Sequence, residues 1–147
     1  MAFDIKVKTE QFSGNEDRSW LGSQIDNQWM PRSITLDAST FLAAHVNVKG
    51  AVPSGCVLGR ITATGLYGPY DPGAGDGREV AAGLLFNTTK IGDGTGNDLA
   101  TAADVGAPLF WAGIVRQAKL PQFAGTVLGE LDAGAIADLG GFIRFEA

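Results

Sequence analysis

The sequence predicts an α+β domain in which short antiparallel strands form a small barrel-like body, with one or two short helices and an extended N-terminal arm. Three observations carry that prediction. Glycine supplies 21 of the 147 residues while only 18% are charged, so turns are plentiful and solvated helix surface is scarce. The stretch from Val52 to Leu85 alternates short apolar runs with turn residues, which is the signature of several strands joined by tight turns. In the window from Leu131 to Leu139, Leu131, Ala135, Ile136 and Leu139 recur at helical spacing. A chain of this length fits one domain and can bury roughly 70% of the surface that its unfolded form exposes.

The elements follow in order. Phe3, Ile5 and Val7 alternate with Asp4, Lys6 and Lys8, a half-buried strand pattern. From Gln11 to Arg32 the pattern dissolves into acids, amides and serines around isolated Phe12, Trp20, Leu21, Ile25, Trp29 and Met30. Residues 1–32 therefore read as an arm and 33–147 as the body. Two indoles in a polar arm imply that it becomes ordered somewhere, because each buries on the order of 200 Å² once covered. Trp20 and Trp29 either fold back on the domain's own core or dock on a partner.

Ser33 to Leu36 gives a strand, and Asp37-Ala38-Ser39-Thr40 resembles the entry to a brief helix over Phe41 to Ala44. Val57-Leu58, Leu66-Tyr67 and Val80 to Phe86 supply strand material. Asp71-Pro72-Gly73-Ala74-Gly75-Asp76-Gly77 stands where a hairpin connection is expected. After a loop at Gly92 to Asp98, the apolar run from Val105 to Val115 is interrupted by Pro108 and Gly113, and Pro108 suits a strand end or an edge. Gly140-Gly141 stops the helix begun at Leu131, and Phe142 to Phe145 closes the chain with an alternating strand.

Charge and composition exclude several functions. A formal charge of −5, with 11 basic residues dispersed singly, disfavours a phosphate-tracking surface, so no direct nucleic-acid binding is expected. No window approaches the 18 apolar residues of a membrane helix, and Met1 to Lys6 contains no apolar leader core, so synthesis in a cytoplasm is expected. A single cysteine, Cys56, permits no intrachain disulfide and none of the usual cysteine-based metal spacings.

The candidate chemistry is thin. His45 and Cys56 could form a base and nucleophile pair, but no orienting group is recognisable nearby, and Cys56 reads better as a small buried hydrophobe with His45 on a surface or turn. Asp71, Asp76, Asp93 and Asp98 lie in glycine-rich loops that lack calcium-loop spacing, and Gly92 to Gly96 lacks the Lys-Ser/Thr pair of a phosphate cradle. No enzyme activity, metal or cofactor is expected.

Val52-Pro53-Ser54-Gly55-Cys56-Val57-Leu58-Gly59, Gly65-Leu66-Tyr67, Tyr70-Asp71, Asp76-Gly77-Arg78, Ala81 to Leu85 and Ala137 to Ile143 form an ordered series. In order and spacing this series resembles the head decoration proteins of tailed bacteriophages, the lambda gpD-like family, over residues 33 to 145. The resemblance implies a homotrimer on the capsid exterior that stabilises the expanded head, with no catalytic residues and no cofactor. It implies a major capsid protein as partner, contacted by the N-terminal arm, and a virion protein made in the cytoplasm of a bacterial host. Phe3, Ile5, Val7, Trp20 and Trp29 are the expected capsid contacts, the first three through strand addition. A second reading is a virion-surface glycan- or receptor-binding module with Trp111, Tyr67 and Tyr70 as a stacking platform. An enzyme built on Cys56 and His45 is a third.

Overall fold

A computed structural model describes residues 18–24, 32–46, 50–91, 99 and 102–147. Among these residues lie strands β1 (Leu21–Gln24), β2 (Arg32–Leu36), β3 (Ala51–Val52), β4 (Val57–Arg60) and β5 (Tyr67–Pro69). They are followed by β6 (Ala81–Leu85), β7 (Thr89–Lys90), β8 (Val105–Phe110), β9 (Gly113–Arg116), helix α1 (Ala133–Leu139) and β10 (Ile143–Glu146). The expected mixture of short strands and little helix is what the chain adopts.

Five strands close a barrel in the order β2-β5-β4-β6-β8, with β8 returning to pair antiparallel with β2 from Arg32↔Leu109 to Leu36↔Val105. Strands β1, β9 and β10 form a second sheet with β9 in the middle, and β3 and β7 form a small ribbon. Most pairings are antiparallel. The exceptions are the single Leu36↔Tyr67 pair between β2 and β5, and the terminal strand β10, which runs parallel to β9.

Neighbouring residues on the barrel strands face opposite ways, as a period of two requires. Leu58, Leu85 and Leu109 enter one cluster with Ile34, Leu36 and Phe41. Val57, Leu84 and Phe110 enter another with Trp20, Val115 and Ile143. Strands buried on both faces read as continuous apolar runs rather than as alternation, which is why Val57-Leu58, Leu84-Leu85 and Leu109-Phe110 stand as adjacent pairs. Helix α1 lies over β6 and adds Ala135 and Leu139 to the second cluster. The Asp132 carboxylate caps the helix by accepting from the Ala135 amide at 2.8 Å.

Two sequence expectations change. The segment Asp71 to Gly77 does not turn a hairpin, because β5 and β6 do not pair with each other and β4 lies between them. The segment instead folds back over the end of β4, where the Thr62 amide donates to the Asp76 carbonyl at 2.9 Å. Gly59 makes that approach possible, since a Cβ there would lie 2.7 Å from the Arg78 backbone. The brief helix expected over Phe41 to Ala44 is two 3-10 turns, Ala38–Thr40 and Ala43–His45. Asp37 caps the first as anticipated, accepting from the Ser39 amide, but Phe41 is extended (φ −85°, ψ 144°). That conformation takes the 2%-exposed Phe41 ring into the barrel interior and ends the turn.

Candidate functional site

The base of the N-terminal arm is fastened to the barrel wall at a gap in the β-ladder. Pro108 stands inside β8, where its carbonyl accepts from the Phe86 amide at 3.1 Å. A regular antiparallel ladder would return the residue-108 N–H to the Phe86 carbonyl, but proline has no N–H to give. The Phe86 carbonyl instead accepts from Ser54 Oγ at 2.7 Å and from Arg18 Nε at 3.2 Å. Thus Pro108 marks the point where pairing with β6 stops and the fastening of the arm begins.

Trp20 completes this fastening. Its indole Nε1 donates to Ser54 Oγ at 3.1 Å, and its ring meets Phe110 edge-on with centroids 5.2 Å apart. Gly55 (φ 95°) lies against the indole, and a Cβ there would come 2.9 Å from Nε1. Beyond the indole, the Arg116 amide donates to the Trp20 carbonyl at 2.7 Å, and β1 pairs with β9 from Leu21↔Val115 to Gln24↔Gly113. The Arg18 guanidinium sits 4.2 Å from the Phe86 ring centroid and also donates to Asn87 Oδ1.

Trp20 is 0% exposed. Of the two expectations for the arm indoles, folding back on the domain's own core is where it stands, and it presents no surface to a partner in this fold. Phe3, Ile5, Val7 and Trp29 lie outside the described residues, as do Asp93, Asp98 and the Gly92 to Asp98 loop. Arg18, Ser54 and Pro108 were missed as parts of a site. Only Pro108 carried a local signal, as a residue suited to a strand end or an edge, and it stands instead within β8, paired with Ser33 of β2.

The alternative sites do not assemble. Tyr67 and Tyr70 are 7% and 2% exposed, so the stacking platform with Trp111 does not form. They belong to different clusters, and the Tyr70 hydroxyl donates to Asp132 Oδ1 at 3.0 Å. Burial, reinforced by Asp132, pushes the Tyr70 phenol up to about 12.

His45 was expected on a surface or turn, and it is fully buried between Phe41 and Phe123. Its Nδ1 accepts from the Leu42 amide at 2.9 Å, so Nε2 carries the proton and donates to the Leu128 carbonyl at 2.8 Å. Both nitrogens are committed to backbone, which leaves neither to serve as a base. Burial lowers the His45 pKa, against smaller upward pulls from the Leu128 carbonyl and Glu130. Burial also pushes the Cys56 thiol up, away from a reactive thiolate. Asp71 accepts from the Gly73 amide and Asp76 pairs with Arg78 at 3.0 Å, so each is occupied within its own turn. Among the described residues no group of three His, Cys, Asp or Glu side chains converges as a metal site, and no helix is long and apolar enough to cross a membrane.

Two exposed apolar features stand apart from the fastening. Phe142 and Trp111 pack edge-on at 5.8 Å beside β9 and β10. Val127 stands on the rim of an open depression lined also by Phe123, Gly125, Thr126 and Glu130, and the exposed Leu42 belongs to the segment that His45 joins to Leu128.

The family model described as bacteriophage lambda head decoration protein D matches residues 13–140, most of the chain. The match begins ahead of Arg18 and so takes in the whole fastening from Arg18 to Gln24. No curated protein matches the chain.

Proposed function

The chain belongs to the family of bacteriophage lambda head decoration protein D, structural proteins of the phage capsid, and from that premise we propose that it acts as a homotrimeric cement. It sits on the outer surface of a tailed-phage head, bridges neighbouring major capsid protein subunits and stabilises the expanded shell. Three modest contacts per trimer act together, so the gain comes from avidity rather than from one tight site. The protein is made in the host bacterial cytoplasm and carries no catalytic function.

The observation that carries this reading is the fastening at Arg18, Trp20 and β1. It ties a buried anchor to the rigid barrel and leaves Phe3, Ile5 and Val7 upstream of it on a segment with strand periodicity. Added to an exposed strand edge of the capsid protein, that segment gains affinity from main-chain hydrogen bonds and register from its alternating side chains. Trp29, which follows β1 in the chain, is assigned to the capsid face together with those three apolar residues, while Trp20 holds the base.

The test is a deletion of residues 2–17, which spares Arg18, Trp20 and β1. The expected outcome is an unchanged denaturation midpoint together with loss of co-sedimentation on expanded empty capsids. Full capsid binding by the truncated protein would sink the assignment of the arm. A deletion of 2–32 is a poorer probe, because it also removes Trp20 from the second cluster.

A further inference from the structure

We propose that the aromatic knob made by Phe142 and Trp111 seats in the depression lined by Phe123, Gly125, Val127 and Glu130 on a neighbouring copy, in a head-to-tail contact that closes the trimer. This deepens the homotrimer reading and rests on it.

The knob is built to project. Phe142 is 69% exposed and Trp111 39%, and their rings meet at an interplanar angle of 72°. The backbone beneath is pinned on both sides: the Phe142 amide donates to the Leu139 carbonyl at 3.1 Å, and the Gly113 amide donates to the Phe142 carbonyl at 3.1 Å. Exposed aromatic side chains held in a fixed direction are the kind of anchor that dominates protein interfaces.

The depression is equally fixed. The Phe123 amide donates to Glu130 Oε1 at 2.6 Å, the Glu130 amide donates to the Val127 carbonyl at 3.2 Å, and the Leu128 amide donates to Thr126 Oγ1 at 3.2 Å. Val127 is 68% exposed at its rim, and the space where Gly125 would carry a Cβ is open for 4 Å.

Charge selects a second copy in head-to-tail orientation. Arg144, two residues after Phe142 on the terminal strand, is exposed, whereas the depression carries the Glu130 carboxylate. Depression on depression would set Glu130 against Glu130, whereas the strand that carries the knob presents Arg144 ahead of Glu146. Knob in depression pairs opposite charges. The two features also lie over different clusters, Ile143 and Leu139 beneath the knob and Phe123 beneath the depression, so each copy can offer both at once. Head-to-tail contacts of this kind generate rings when the rotation closes.

The experiment uses F142E and V127E, two substitutions at mostly exposed positions, followed by sedimentation velocity at concentrations where the wild type is a trimer. Each variant alone is expected to sediment as a folded monomer, with its circular dichroism unchanged. An equimolar mixture is expected to form a heterodimer and stop there, because the intact knob of the V127E chain fits the intact depression of the F142E chain while the remaining pair is blocked. A variant that stays trimeric, or a mixture that stays monomeric, overturns the contact and leaves the capsid role standing. Variants that stay trimeric yet lose capsid binding overturn it in favour of a capsid-facing surface. A monomeric wild type overturns the trimer reading itself.

Discussion

The cluster inside the barrel and the cluster on its outer wall are lined by adjacent residues of the same strands, Leu58 beside Val57, Leu85 beside Leu84 and Leu109 beside Phe110. They close by different means. The inner cluster is ringed by β2-β5-β4-β6-β8, with Phe41, Ile91 and Phe123 added from the segments between strands. The outer cluster is a bare wall until parts from both ends of the chain cover it: Trp20 from the N-terminal side, and α1 and Ile143 from the C-terminal side. The inner cluster therefore makes the body, and the outer one is where the arm is attached to it.

The largest expected effect comes from removing the N-terminal cover. Trp20→Ala deletes a fully buried indole and leaves Ser54 Oγ without its donor, which is expected to cost about 3–5 kcal/mol. Leu58→Ala, in the inner cluster, is expected to cost about 2–5 kcal/mol. Chemical denaturation of both variants tests whether the clusters are one cooperative unit, since they share β4, β6 and β8. A single shifted transition is expected in each case. A separate early transition in Trp20→Ala, with the barrel still folded, would show that the outer layer unfolds on its own and break the comparison.

A second effect separates the clusters by pH. His45 sits at the edge of the inner cluster, with Nδ1 accepting from Leu42 and Glu130 as the charged group acting on it. Its folded pKa lies below the unfolded value, so the unfolded chain binds the proton more readily. The stability it contributes is complete above about pH 6.5 and is lost as pH falls through the folded pKa. The stability should drop in that window with a slope of at most about 1.4 kcal/mol per pH unit, read from the denaturation midpoint. His45→Gln should flatten that part of the curve. A wild-type midpoint that holds steady from about pH 7 to 5 would remove His45 from the account.

Sequence reasoning reached the parts of this molecule whose cause is local. The adjacent apolar pairs, the Asp37 cap, the helix face of Ala135 and Leu139 and the alternation of Ile143, Arg144 and Phe145 all stand in the structure, because each follows from spacing within a few residues. The candidate site was less legible. Trp20 meets Ser54 across 34 positions, Arg18 meets Phe86 across 68, and His45 meets Leu128 across 83. No periodicity announces such pairs, and a polar surrounding made Trp20 look like a free anchor. The expected hairpin failed for the same reason: Asp71 to Gly77 has the residues of a tight turn, and only the insertion of β4 between β5 and β6 decides that it crosses over.

The smallest expected effect sharpens the outer side of the comparison. Tyr70 is the outer cluster's buried phenol, and its hydroxyl donates to the same Asp132 oxygen that caps α1. Tyr70→Phe keeps the ring and the cap and removes one hydrogen bond, so it should cost about 0.5–1.5 kcal/mol at neutral pH. Its alkaline behaviour is the better discriminator. With the folded pKa raised to about 12, the neutral phenol is favoured in the folded state. The stability this provides is complete below the ordinary tyrosine value of about 10 and is lost as pH rises toward 12. The wild type should therefore weaken over that range more than Tyr70→Phe does, while His45→Gln should weaken there as the wild type does. If the phenylalanine variant weakens as steeply as the wild type, another group carries the alkaline response, and the coupling of α1 to the barrel wall through Tyr70 and Asp132 contributes little.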